Sequence, residues 1–340
     1  MTTMAAVRIW GAGDLRVERL PIPEPDEHQV RLRISHVGIC GSDLHYWYDG
    51  ANGDFVVREP LVPGHELSGR VDLDPSGTLR PGTPVTVHPA RFGVSQPGLG
   101  SSPHLWPGGS YLGSAATWPH TQGVMAEFVV VDRTMVRVLP DSLPLDRAAL
   151  AEPLAVALHA LSQAGPVARA RTLVVGAGPI GLLQVAALRA GGAATVAASD
   201  VARGPLARAQ ELGADSAYWV GAAGGEELPE GFEVVFECSG TASGVNSAWR
   251  AVRRGGTVVQ VGMLPAGPQS LELSRLISKE VTVRTSFRFI DEIDDAIVLL
   301  DGRPEIAAVV THCFGLGQVA QAFEVARDSE ASGKVLVRLG

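Results

Sequence analysis

The stretch RTLVVGAGPIGLLQVAALRAGGAATVAASD, residues 171–200, constrains the fold more than any other part of this chain. TLVV reads as a buried strand, GAGPIG as a glycine turn, LLQVAALRA as an apolar helix and ATVAASD as a second strand. Gly176 permits the tight turn, Gly178 lets the backbone approach a pyrophosphate, and Gly181 lets the helix pack closely on the sheet. Pro179 and Ile180 complete the turn and open the helix, whose N-terminus faces the phosphates. Asp200 ends the next strand about twenty residues on, where its carboxylate would accept hydrogen bonds from an adenosine ribose. A carboxylate there repels a 2′-phosphate, which favours NAD over NADP; Arg203, close by, weakens that preference. The plainer alternatives are a ligand-free strand-turn-helix and, for Asp200, a strand-end turn residue.

From about 153 to 284 the pattern keeps alternating strands and helices, as in FEVVFECSG, VNSAWRAVRRGG, TVVQVGM and VTVRTSF. This implies an α/β fold with a doubly wound parallel sheet. Before about residue 145 the period is two: VRLRISHVGIC, ELSGRVDLD, TPVTVHP and MAEFVVVD read as short strands cut by Gly, Pro and Asp. A Gly/Ser/Pro-rich run lies between Pro89 and Gly123, and a loop that long is usually functional or loosely ordered. From about Phe287 the chain is too short for a domain and is expected to return to the first part.

Other features exclude classes of function. The chain carries 28 Lys and Arg against 36 Asp and Glu, a net charge of −8, which argues against a nucleic-acid partner. No run of eighteen apolar residues suggests a membrane span, and no secretory leader is evident. Cys40, Cys238 and Cys313 are far apart and odd in number, arguing for a reducing cytoplasm rather than a disulfide framework.

Three segments hold candidate chemistry: GICGSDLHYW with Cys40, PGHELSG with His65 and Glu66, and AEPLAVALHA with Glu152. Thiolate, imidazole and carboxylate together are the mixed ligand set of a catalytic zinc with an open position. Spacing alone does not bring them together. A nucleophilic Cys40 with His45 or His65 as its base is the alternative, as is a buried apolar cysteine.

GICGSDLHYW, PLVPGHELSG, AEPLAVALHA, GAGPIG and SFRF, in this order, resemble the zinc-containing medium-chain dehydrogenases, within their sorbitol dehydrogenase-like polyol branch. The resemblance runs from about Ala5 to Arg338. It implies a β-rich GroES-like catalytic domain, 1–150 and 287–340, with a Rossmann cofactor domain, 151–286, inserted into it and a cleft between them. It implies that Cys40 and His65 ligate zinc and that Glu66 and Glu152 lie at the metal, directly, through water or by exchange. Asp43 would hold the His65 tautomer. Ser42 would take the substrate proton and pass it through the cofactor ribose toward His45.

LGSAATWPHTQG and SFRF carry a narrower likeness, to the L-idonate-oxidising members, with sorbitol or xylitol as the rival substrates. Tyr46, Trp118, His120 and Arg288, with Trp47 and Phe55, are then candidates at the substrate, and Arg288, Arg58, Arg91 or His120 would meet a carboxylate. Many members carry a second zinc on four cysteines; this chain has none from Gly41 to Glu237, so one catalytic zinc and no four-thiolate site are expected. Members form dimers or tetramers, and VTVRTSF is a strand that could pair across subunits. A dinucleotide-binding module without catalysis is the alternative of another class.

Overall fold

The computed structural model describes residues 2–221 and 224–340. In chain order, the elements that matter here begin with a hairpin, β1 (Thr3–Gly11) and β2 (Asp14–Pro21), followed by β3 (Gln29–Gly38) and helix α1 (Gly41–Tyr48). Next come β4 (Glu66–Leu73), β5 (Pro84–Val87), β6 (Phe128–Asp132) and β7 (Val136–Val138). Helix α2 (Ala151–Ala164) leads into β8 (Arg171–Val175), α3 (Pro179–Ala190), β9 (Thr195–Asp200) and α4 (Arg203–Glu211). β10 (Ser216–Trp219), β11 (Phe232–Glu237), α5 (Ala242–Ala251), β12 (Val252–Gln260) and β13 (Thr282–Thr285) continue the alternation. The chain closes with α6 (Glu292–Gly302), β14 (Val310–Gly315) and β15 (Lys334–Arg338).

These strands form two main sheets. In the first, β7, β5, β4, β3, β15 and β14 lie side by side, and β6 also pairs with β3. β3 keeps the period of two: Val30, Leu32 and Ile34 point into the core and Arg31 and Arg33 away from it. The last strand pairs antiparallel with β3, so the end of the chain returns to the sheet built by its first part.

The second sheet is parallel, in the order β10-β9-β8-β11-β12-β13. The order reverses between β8 and β11, and ligands of such sheets bind at that reversal. Helix α3 is mostly apolar and correspondingly buried, with Leu182, Leu183 and Leu188 fully enclosed. Each such leucine contributes about 1.5–3 kcal/mol by leaving water. Ile293, Ala296, Ile297 and Leu300 of α6 pack in this same core, so the chain rejoins the first sheet only at β14. β13 is one of the two edges of the parallel sheet, with all four residues exposed.

The Gly/Ser/Pro run is ordered by its own packing. Ala90 and Arg91 pair with Tyr111 and Ser110, Val94 N–H donates to the Pro107 carbonyl at 3.0 Å, and Trp106 Nε1 donates to the Leu99 carbonyl at 2.7 Å. A methyl group on Gly93 would collide with the Pro107 carbonyl, so the absent side chain is what lets the loop close on itself. Among the described residues no helix is long and apolar enough to cross a membrane.

Candidate active site

The register of the first sheet assembles the candidate ligands. Gly38, at the end of β3, lies opposite Glu66 on one side and Leu336 on the other. Cys40 follows two residues later as the N-cap of α1, His65 immediately precedes β4, and Lys334 opens β15. Gly38 has to lack a side chain, because a methyl group there would overlap Glu66 Oε2. Cys40, His65 and Glu66 each present a ligand atom, all within 4.8 Å of one another. No other such group of three exists among the described residues.

Asp43 fixes the backbone of this cluster. Its two carboxylate oxygens accept the N–H groups of Cys40 at 3.0 Å and Gly64 at 2.9 Å. Among the described residues the His65 ring donates no hydrogen bond to Asp43; the carboxylate acts on the imidazole through its charge and, through these two amides, holds the segments that carry Cys40 and His65.

The electrostatics favour a cation. Burial alone would lower the His65 pKa, yet the Cys40 sulfur, Glu152 and Asp43 push it up to about 10. Glu66 is fully buried; Oε1 accepts from Lys334 Nζ at 2.7 Å, while Oε2 has no partner among the described residues. Lys334 is itself buried and also donates to the Ile39 carbonyl at 3.0 Å. Burial works against its charge, but Glu66 and Cys40 carry its pKa above the ordinary value. An unpartnered carboxylate oxygen beside a thiol and an imidazole, in surroundings that stabilise positive charge, fits a zinc ion.

Glu152 stands just outside this trio, on the first turn of α2. Tyr111 donates to its Oε1 at 2.5 Å. Burial raises the Glu152 pKa, opposed by the charge of His65 and reinforced by that of Glu66. Tyr111 also lies edge-on to His65, with ring centroids 5.4 Å apart. The Arg288 guanidinium rests 4.2 Å from the centre of the Tyr111 ring. Sequence reasoning did not single out Tyr111 or Lys334. The usable signal for Lys334 was a lysine opening the strand KVLVR ahead of three apolar residues.

Arg288 has left-handed backbone geometry, with φ of 53°, and is half-buried. Its guanidinium has no hydrogen bond or ion pair with the described residues. It stacks on Tyr111 and Phe287 and lines a cavity of about 250 Å³ with Arg91 and His104. Arg91 is paired to Asp132 at 2.6 Å, and Arg58 is exposed on the surface.

Other residues expected at the substrate serve elsewhere. His120 is buried; its Nε2 accepts the Arg58 N–H at 2.9 Å and its Nδ1 donates to the Thr117 carbonyl at 2.9 Å. Both ring nitrogens are used by the backbone, so the ring offers a substrate nothing. The buried Tyr46 hydroxyl accepts the Ala115 N–H at 3.1 Å, tying α1 to the loop beyond Tyr111. Trp118 is 63% exposed and touches His120 rather than the ligand cluster. Trp47 packs on Phe323 in the core, and Phe55 is exposed. Ser42 is half-buried in the first turn of α1. His45 lies on the outer face of that helix with Asp49 Oδ2 2.9 Å from its Nδ1.

At the glycine turn, Gly176 has φ of +90° and abuts Ser239, and a methyl group on Gly181 would strike the Gly176 carbonyl. Gly178 is the N-cap of α3, followed by Pro179 and Ile180, so the first amides of the helix meet no capping side chain. Asp200 Oδ2 accepts the Ala177 N–H at 2.7 Å and Oδ1 accepts the Ala202 N–H at 2.9 Å. The Arg203 guanidinium stacks 4.1 Å above the Trp219 ring.

Comparison with known proteins agrees with this geometry. Residues 26–141 match the alcohol dehydrogenase GroES-like domain, and residues 179–301 match the zinc-binding dehydrogenase family. Sorbitol dehydrogenase of Gallus gallus is 36% identical over 342 residues, covering 96% of this chain and 94% of its own. L-Idonate 5-dehydrogenase of Escherichia coli superposes with a TM-score of 0.92 at 30% identity, covering 99% of this chain and 98% of its own. A structure from Sinorhizobium meliloti described as a zinc-binding dehydrogenase, bound to NADP, gives a TM-score of 0.88 at 28% identity over 99% of this chain and all of its own. With its GroES-like and Rossmann parts in this order, the chain belongs to the zinc-containing medium-chain dehydrogenases, in their sorbitol dehydrogenase-like branch.

Proposed function

We propose that this chain oxidises a secondary hydroxyl of a sugar acid with NAD, the leading substrate being L-idonate, converted at C5 to 5-keto-D-gluconate. The observation that carries the sugar-acid reading is Arg288: a half-buried guanidinium with no anionic partner among the described residues, one aromatic ring away from Glu152 and His65. A carboxylate remote from the reacting hydroxyl would supply the missing partner, as a fork of charge-assisted hydrogen bonds. The likeness to sorbitol dehydrogenases favours a neutral polyol as the second reading.

Zinc held by Cys40 and His65, with Glu66 and Glu152 beside its open position, would act as a Lewis acid that lowers the pKa of the substrate hydroxyl. Ser42, two residues beyond Cys40, would receive the hydroxyl proton, and His45 on the outer face of the same helix would hand it to solvent. The open end of α3 would bind the pyrophosphate, and Asp200 the adenosine ribose. The overall change is alcohol plus NAD⁺ to ketone, NADH and one proton.

NADH formation from L-idonate and from sorbitol, each with and without a zinc chelator, tests the reading. Chelator-sensitive turnover of L-idonate is expected; preference for sorbitol would discard the sugar acid and keep the chemistry. A charge-assisted hydrogen bond is worth about 1.5–3 kcal/mol, so Arg288→Gln should raise KM for L-idonate roughly 10- to 100-fold. The sorbitol KM should barely change. An equal rise for both substrates would mean that Arg288 only supports the cleft.

A further inference from the structure

Helix α4 begins three residues after Asp200, beside the expected adenosine ribose. The free N–H groups of a helix N-terminus are a ready anion site, and one placed here would suit the 2′-phosphate that distinguishes NADP from NAD. In this protein a side chain from the other sheet's own segment already holds that position. Glu330 Oε2 accepts the Arg203 N–H at 2.9 Å and Oε1 accepts the Gly204 N–H at 2.8 Å. Glu330 lies in the turn that leads into β15, which pairs with β3 in the first sheet.

The turn is pinned in place. Arg208, one turn further along α4, donates to the carbonyls of Ser329 at 2.7 Å, Ser332 at 2.9 Å and Glu330 at 3.3 Å. Gly204 is bare where the Glu330 carbonyl presses against it, and any side chain there would collide. The two arginines nearest Asp200 are thus engaged, Arg208 by backbone carbonyls and Arg203 by the Trp219 ring.

We propose that Glu330 is a specificity-determining residue: with Asp200 it forms an acidic rim that fills the N-terminus of α4 and excludes the 2′-phosphate, so that the chain selects NAD. The inference rests on the dinucleotide site proposed above and adds a second group, 130 positions beyond Asp200 in the chain, to a preference that sequence placed on Asp200 alone. Fixed negative charge on the Arg203 and Gly204 amides raises the cost of bringing in a phosphate dianion, by repulsion and by competition for the same N–H groups.

The test is direct titration of the purified full-length chain with NADH and with NADPH, followed by nucleotide fluorescence, for the parent, Glu330→Gln and Glu330→Asp. The parent is expected to bind NADH the more tightly. Glu330→Gln should tighten NADPH binding roughly tenfold, the order of one removed like charge in a partly solvated contact, with NADH changed less than about twofold. Glu330→Asp keeps the charge and should keep the discrimination, which separates charge from fold. Parallel weakening of both nucleotides in Glu330→Gln would make Glu330 a clasp between the two sheets and overturn the proposal. An unchanged NADPH-to-NADH ratio would overturn it as well. A parent chain that binds neither nucleotide would remove the dinucleotide reading itself, an outcome distinct from both.

Discussion

Cys40→Ala is expected to strip the protein of zinc and to lower kcat at least about a thousandfold, while NADH binding stays within about twofold of the parent. The size follows from the several kcal/mol that a Lewis acid supplies to a hydroxyl losing its proton, at one factor of ten per 1.36 kcal/mol. The selectivity follows from geometry. Cys40 caps α1 at the edge of the first sheet, whereas the glycine turn lies on α3 above the parallel sheet. Without the thiol, His65 loses the neighbour that most raises its pKa, and Glu66 is left to Lys334 alone. The side chain is only half-buried, so little packing is lost. Metal analysis, fluorescence titration with NADH and turnover on one preparation would decide it. Zinc retained with cofactor binding lost would refute the assignment of Cys40 as a ligand.

Lys334→Met should cost about 3–5 kcal/mol in zinc-stripped protein, a large share of the 5–15 kcal/mol that holds a typical domain together. The reason is burial: the carboxylate of Glu66 is fully enclosed, and among the described residues Lys334 is its only hydrogen-bond partner. Removing the ammonium leaves an uncompensated charge in a low-dielectric setting, which is worse than having neither group. Glu66→Gln added to Lys334→Met should therefore recover much of the loss. Zinc should stabilise Lys334→Met more than it stabilises the parent, since a dication replaces the missing counter-charge. Denaturant unfolding of the four proteins measures each term as a double-mutant cycle. A Lys334→Met penalty below about 1 kcal/mol would mean that Glu66 is protonated or hydrated.

What sequence could reveal divides along a physical line. The glycine turn and Asp200 were legible because a local backbone demand writes itself into adjacent residues: Gly176 sits at φ +90° and Gly181 against a carbonyl. Cys40, His65 and Glu66 were legible as residue types, and only the pairing of Gly38 with Glu66 brings them within reach of one another. Lys334 and Tyr111 were not singled out, because their partners lie 268 and 41 residues away and a lysine at the start of a strand does not say what it pairs with. His120 was misread for a different reason. A histidine whose nitrogens serve two backbone groups looks the same in sequence as one that serves a ligand. The long Gly/Ser/Pro run gave no sign of its order, since its closing contacts are a tryptophan indole on a carbonyl and a glycine beneath another.

The placement of Glu152 has a mechanical consequence. Cys40, His65 and Glu66 are mounted on neighbouring strand ends of one sheet, tied by Asp43, and their mutual spacing is set by that frame. Glu152 is mounted on α2, whose Leu154, Ala155 and Ala157 share a core with α3 and the parallel sheet. The four groups therefore act as a caliper with three points on one jaw and one on the other. A hinge movement between the sheets would leave the three spacings within the trio alone and change the three that run to Glu152, so of the four groups only this carboxylate would feel how the two sheets sit on one another.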